Sequence, residues 1–318
     1  MAFHQLRASP HTIRVSVFDA AFAPVMTVNS GDTVEIQCIS GRKEVLPPPG
    51  SGHFVPPELS EVIAANPGMR PGHILTGPIE IADAMPGDML EIHVDDIKPG
   101  ADWGYTALRP LAGTLPDDVR EPVLYRIAVN IEQMSCILPW GTTLPLAPFL
   151  GIMAVAPPPA YGLIRSSEPR IHGGNIDNKE LTAGSTLFLP VWVPGANFSA
   201  GDGHGVQGDG EVCVTALEMC LTATLTFLLH KVAPGARPLF ERPRAETPTH
   251  FISMGFHASL DEAMKLALRE MIAFICERTN LDRAQAYAFC SLAVDFHVTQ
   301  TVNGEKGVHG MLKKGLLF

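Results

Sequence analysis

Turn-forming residues break this chain at close intervals. Twenty-nine glycines and 28 prolines are spread over 318 residues, and short segments of alternating apolar and polar residues run between them. Such punctuation favours many short strands joined by turns over a helical bundle. Thr12–Phe18, Thr33–Ile39 and Met89–Val94 alternate with period two, the last two each following a Gly-Asp turn. SGDTVEIQC and PGDMLEIHV look alike, and AGSTLFLPVWV at 183–193 is a weaker third version. An internal repeat and the ordinary grammar of a β-sandwich both account for this. Segments 44–60 and 110–120 read as loops, and the proline run within 157–162 as a rigid polyproline-like passage.

Composition excludes several classes. With 46% hydrophobic and 18% charged residues the chain is not intrinsically disordered. Its net charge is −10 and it has no basic stripe, which argues against nucleic acid as a partner. The most apolar stretch, Ile137–Ala156, is interrupted by Pro139, Pro145 and Pro148, with Pro157 close behind, so no membrane-spanning helix is expected. Met1–Pro10 does not read as a signal peptide. Six cysteines without a CxxC pair are then expected to be reduced, mostly buried and cytoplasmic.

Helical periodicity is confined to the last quarter. Ser259 and Glu262 have capping-box spacing, followed at helical intervals by Leu260, Met264, Ala267, Leu268, Met271, Ile272 and Ile275. A second helix fits Asp282–Leu292, and a strand fits Val294–Val302, ending at the Asn303–Gly304 turn. The expectation is a mainly β protein with α/β elements in its C-terminal part. A β-rich body at 1–230 would carry the site and an α/β part at 231–318 would pack on it, with 234–248 as linker or long loop.

Polar residues gather in two glycine-rich clusters: His172-Gly-Gly-Asn175-Ile-Asp177-Asn178, and Gly201 through Glu211. In the second, glycines at 201, 203, 205, 208 and 210 are expected to take positive φ and turn Asp202, His204, Gln207, Asp209 and Glu211 toward one point. A histidine among carboxylates suits Zn²⁺, while the oxygen-rich part also suits Ca²⁺. The alternative is a solvated turn with its acids in water. No HExxH, EF-hand or GxSxG pattern is present. Cys136 has no surroundings that support a nucleophile. His297 alternates on its strand and reads as packed or on the surface; His309, in GVHGM, reads the same way with pocket lining as the alternative.

At these clusters the chain resembles the acetamidase/formamidase family. The resemblance rests on TGPIEIADAMPGDMLEI (76–92), PFLGIMAVAP (148–157), HGGNIDNKELTAGSTLFLPV (172–191), GANFSAGDGHGVQGDGEV (195–212) and SLAVDFHVTQTVNGEKGVHGML (291–312), in that order. It implies a jelly-roll-like β-sandwich body, a homodimer, and hydrolysis of short aliphatic amides to carboxylate and ammonia. It also implies a divalent metal, with Zn²⁺ ahead of Ca²⁺. The site it implies comprises Asn175, Asp177, Asp202, His204, Gln207 and Glu211, with Asp209 less firmly included. On this reading Asp202, His204 and Asp177 hold the metal, Glu211 is general base and then acid, and Asn175 and Gln207 orient the substrate or the oxyanion. Two departures bear on specificity: His73 stands where a smaller or amide side chain is expected, and 40–60 is short and proline-rich. They keep open a related C–N hydrolase acting on a lactam, carbamate or other small amide. A non-catalytic scaffold stabilised by a metal is the third reading.

Overall fold

The three look-alike segments become strands of one sheet. The computed structural model describes residues 1–69, 72–233 and 238–317. In it Thr33–Cys38, Met89–Pro99 and Thr186–Pro190 belong to a nine-stranded, mostly antiparallel sheet. The strand order is Phe3–Leu6, Thr33–Cys38, Leu221–His230, Met89–Pro99, Thr186–Pro190, Arg244–Glu246, His250–His257, Lys306–Lys313, Val294–Gln300. Two of the turns that feed these strands are pinned by buried acids. Asp32 accepts from the backbone N–H groups of Ala2 and Asn29, which hold its carboxyl well below the usual range. Asp88 accepts from Met85 N–H, Val232 N–H and the Lys231 ammonium.

A second sheet runs Gly173–Asn175, Phe149–Ala154, Phe198–His204, Ile74–Ile81, Ile13–Val15, with Met26–Val28 parallel to Ile74–Ile81. A four-stranded sheet contains Trp103–Leu108 and Val123–Asn130. One apolar core joins the three: Val34, Ile92, Leu225 and Phe227 from the first, Ile79, Met153 and Phe198 from the second, Ile127 and Val129 from the third. Phe198 and Phe227 meet edge-on at 5.0 Å between ring centroids. The fold is therefore mainly β, as expected.

The two C-terminal helices cover one end of the large sheet, while the first packs with Ile13, Ile74 and Trp103. Helix α1 spans Pro57–Ala65, so the expected loop at 44–60 ends in a helix that buries Leu59 and Val62. Helix α2, Leu260–Arg278, buries Ala267, Met271, Ile272 and Ile275 as the periodicity predicts. Its expected capping box is not formed: Ser259 makes no side-chain cap, and Glu262 pairs with Lys265 instead. The box forms one helix later, where Asp282 and Gln285 cap α3, Arg283–Ala293. The proline run holds a short 3-10 turn at Pro159–Tyr161 rather than an extended passage. Strands after residue 243 extend the same sheet as the N-terminal strands, and residues 234–237 of the expected linker lie outside the described residues.

Helix α2 lies so close to strand His250–His257 that Gly255 has no room for a side chain. A Cβ there would stand 2.2 Å from the carbonyl oxygen of Ala263 and 2.4 Å from the nitrogen of Ala267. Ser253 Oγ donates to the Ala267 carbonyl at 2.8 Å, and Arg244 bonds Glu277 at 2.7 Å, fixing the helix at this height. Gly255→Ala must push the helix off the sheet and is expected to lower unfolding free energy by about 1–3 kcal/mol, read as a drop in urea midpoint.

Candidate active site

A strand packed too closely for side chains at two of its positions carries the centre of the site. Asp202 and His204 are two residues apart on strand Phe198–His204 and so share a face. Gly201 and Gly203 occupy the opposite parity, where a Cβ would stand 2.3 Å from Ile74 O and 2.4 Å from Met219 O. These glycines, like Gly205 against the Met219 sulfur, are required by close packing and not by positive φ; of the five expected, only Gly210 has it. The expected loop is thus a buried strand as far as His204. Gly173 and Gly174 do take positive φ, bending the chain so that Asp177 N–H reaches the Gly151 carbonyl.

The result is a buried cluster centred on His204. Its Nε2 lies 3.4 Å from Asp202 Oδ2 and 3.3 Å from Glu218 Oε1. Its Nδ1 lies 3.0 Å from Gln207 Oε1 and 3.8 Å from Asp177 Oδ1. Carboxylate oxygens of Asp177 and Glu211 lie within 4.8 Å of each other. Asn303 Nδ2 donates to Asp177 Oδ2 at 2.5 Å. Asp177, Asp202, His204, Glu211 and Glu218 are all at most 6% exposed.

Gln207 fixes the tautomer. Its amide nitrogen donates to the Asp177 carbonyl at 2.8 Å, which leaves its oxygen to accept from His204 Nδ1–H. When the ring is neutral, Nε2 is then its lone-pair atom, and it faces Asp202 and Glu218. Asn175 is buried in strand Gly173–Asn175; its backbone oxygen accepts from Asn303, and its side-chain oxygen has no partner among the described residues. Asp209 does not join the cluster: it bonds His297 and pairs with Lys179.

Burial and like charge perturb every acid here. Burial, then the Asp177 carboxylate, pushes Glu211 well above the usual range. Burial likewise raises Asp177, and raises Glu218 with help from Asp202. Burial also opposes the Asp202 anion, but His73 and His204 outweigh it and lower its pKa. For His204 burial pulls down, yet Glu218 and Asp202 hold the proton on it well above an ordinary histidine.

Four carboxylates around one imidazole call for a cation. Two overlapping donor sets can hold one: Asp202, His204 and Glu218, or Asp177, His204 and Glu211. His204 Nε2, Asp177 Oδ1 and Glu211 Oε2 are buried and lack a hydrogen-bond partner among the described residues. Beside them the wall is open at Gly151, where a Cβ would stand 2.5 Å from Asp177 Oδ1, 2.8 Å from Asp202 Oδ2 and 2.9 Å from His204 Cε1. Orphaned donors around a gap that a methyl would fill are what a divalent ion requires. Three of the acids, Asp177, Asp202 and Glu211, also have positive φ, a conformation that costs about 1 kcal/mol or more each and concentrates at functional sites.

Several of these residues escape the sequence reading. Glu218 shows one signal, a lone acid in the apolar run ALEMCL. Asn303 reads as a turn residue and Gly151 as part of an apolar strand; neither carries a local sign of its role. His73, noted as a departure, sits at the rim with Nδ1 2.8 Å from Ser166 Oγ and Nε2 3.7 Å from Asp202 Oδ2.

The sequence model of the acetamidase/formamidase family matches residues 18–161 and 159–308, and the chain belongs to that family. A protein of Schizosaccharomyces pombe with a provisional formamidase name is 27% identical over 255 residues, 63% of this chain and 60% of its own length. The acetamidase of Mycolicibacterium smegmatis is 29% identical over 204 residues, 45% of this chain and 50% of that one. The matches thus span half to three fifths of these curated relatives. The crystal structure of an acetamidase from Bacillus halodurans is 29% identical, superposes with a TM-score of 0.83, and covers 98% of both chains.

Two measurements probe the site's physical state. Gly151→Ala fills the gap between the ligand atoms; Zn²⁺ affinity is expected to fall at least about tenfold with little change in melting temperature, read by isothermal titration. His172, edge-on to Phe18 and buried with both ring nitrogens unpartnered, has its pKa pulled down to about 3 by burial and by Arg170. An unfolded histidine titrates near 6.5, so between about 6.5 and 3 the unfolded chain binds the extra proton. Stability is therefore lost as pH falls through that window. His172→Phe is expected to reduce the difference in urea midpoint between pH 7 and pH 4.5.

Proposed function

We propose that this chain hydrolyses short linear amides, of the formamide and acetamide type, to carboxylate and ammonia. The observation that carries the reading is the buried set of carboxylates around His204, several of its donor atoms unpartnered among the described residues, with Asp177 Oδ1 and Asp202 Oδ2 bordering the gap at Gly151. Family membership and the Bacillus halodurans acetamidase support it.

Asp202, His204 through Nε2, and Glu218 would hold the cation, and Asp177 stands on the other side of the imidazole. A histidine in the set favours Zn²⁺ over Ca²⁺. When bound, such a cation supplies Lewis-acid polarisation of the amide carbonyl and acidifies water at its face.

The protein's own part is proton management. Glu211, a carboxyl that burial and Asp177 bias toward its protonated form, would take a proton from the attacking water when a bound cation offsets the neighbouring negative charge, and would return it to the leaving nitrogen. Asn303 donates to Asp177 and so holds this neighbour of Glu211 in place. Gln207 acts through His204, fixing its tautomer, and so is a positioning residue rather than a substrate contact. Asn175 is the remaining candidate for an amide contact, since its side-chain oxygen is unpartnered.

His73 beside Asp202 favours a second reading, a related C–N hydrolase whose substrate presents a group for that imidazole, such as a lactam or carbamate. A homodimer in the cytoplasm completes the proposal. The six free cysteines suit that location, and among the described residues no helix is long and apolar enough to cross a membrane.

The test is ammonia release from formamide and acetamide by Zn²⁺-loaded protein. Release well above blank is expected, lost on chelation while the circular dichroism spectrum stays unchanged. Glu211→Gln is expected to lower turnover by about 10²–10⁴-fold with metal content retained. Normal turnover in that variant removes Glu211 as the base. Absence of ammonia from either amide with a full complement of metal overturns the substrate class.

A further inference from the structure

A second set of metal-type side chains lies on the far side of Gly210. Asp209 Oδ2 stands 3.2 Å from His297 Nδ1. His297 and His309 are directly opposed on strands Val294–Gln300 and Lys306–Lys313, with rings stacked at 5.1 Å. One donor atom from each of Asp209, His297 and His309 lies within 4.8 Å of the other two. None of the three belongs to the cluster around His204.

The independent sign of a ligand is His309. Only 1% of this residue is exposed. Thr299 Oγ1 engages its Nδ1 at 2.7 Å, and its Nε2 is buried without a partner among the described residues. A buried ring nitrogen left unpaired is costly. An imidazole tied at one nitrogen by an outer partner and free at the other is the form metal-binding histidines take. His297 and Asp209 are only partly buried, which leaves a path from solvent. Lys179 Nζ lies 3.1 Å from the same Asp209 oxygen, so a cation already balances that carboxylate and a metal would displace it.

We propose that Asp209, His297 and His309 form a second divalent-cation site, separate from the one around His204. Two imidazoles and one carboxylate suit Zn²⁺, or Co²⁺ as its spectroscopic substitute, and disfavour Ca²⁺ and Mg²⁺, which take oxygen ligands. Three protein ligands leave a coordination position open to water or an anion. The site does not depend on amide hydrolysis.

The experiment titrates metal-stripped, full-length protein with Zn²⁺ by calorimetry and measures bound metal after dialysis by elemental analysis. Wild type is expected to hold one more Zn²⁺ per chain than His297→Ala or Asp209→Asn. Both changes are at partly exposed positions where folding tolerates them, so the test does not hinge on the buried His309. Each is expected to weaken this site by more than about 100-fold, beyond the loss of an outer partner, whereas Thr299→Val should weaken it by about 10–100-fold. His204→Ala should leave it intact. Co²⁺ loading should add visible absorption that disappears in His297→Ala. Unchanged Zn²⁺ stoichiometry and affinity in both His297→Ala and Asp209→Asn would overturn the proposal, as would loss of the same ion in His204→Ala.

Discussion

Placing four carboxylates around one imidazole, out of reach of water, is the constraint that organises the rest of this molecule. Asp177, Asp202, Glu211 and Glu218 repel one another, and burial removes the solvent that would screen them. His204 offsets one charge at most, and His73 at the rim approaches only Asp202. Without more positive charge, protons must stay on Glu211 and its neighbours, which is why their pKa values rise. The fold supplies rigidity to hold this arrangement: strand Phe198–His204 is buried along its whole length between Phe149–Ala154 and Ile74–Ile81. The cluster's donor atoms are consequently set before any ligand arrives.

That rigidity depends on omitted side chains. Where Gly201 and Gly203 stand, backbone carbonyls of neighbouring strands occupy the space of a Cβ. At Gly151 the same omission leaves room beside the ligand atoms. Helix α2 repeats the device at Gly255, far from the site, so close packing through glycine is a habit of the whole chain and not a mark of chemistry by itself. What distinguishes Gly151 is the nature of its neighbours: two carboxylate oxygens and an imidazole carbon.

Much of this was legible in the sequence because strands have a simple parity. Asp202 and His204 are two apart and must share a face; the apolar alternation of Thr33–Cys38 and Met89–Val94 marks strands; the stripe from Leu260 to Ile275 marks a helix. The capping box at Ser259 misled because spacing shows only that a box can form: Glu262 turns to Lys265 there, whereas Asp282 and Gln285 make both bonds of theirs. The loop glycines misled for a related reason. Glycine permits positive φ but also permits contact, and spacing alone does not say which is in use. Glu218, Asn303 and Gly151 come from segments 67 to 152 residues away from one another, and only sheet register brings them together. His204 meets Glu218 through an isolated backbone bridge, a long-range pairing that no local pattern encodes.

Gly210 shows how one short loop serves two electrostatic environments. Its N–H bonds Thr299 O, and its carbonyl accepts from Thr301 N–H, so the loop is laid along the edge of strand Val294–Gln300. The flanking residues then part: Glu211, at positive φ, turns in toward Asp177, while Asp209 remains with His297 and Lys179. Lys179 and Asp177 are likewise two residues apart and also divide, the ammonium going to the half-exposed side and the carboxylate to the buried one. Each side receives an acid, but only the outer side receives a lysine. The inner cluster is thereby left short of positive charge while the outer one is nearly balanced. This asymmetry makes the inner cluster the stronger attractor for a divalent cation, and any site at Asp209 the weaker and more exchangeable of the two.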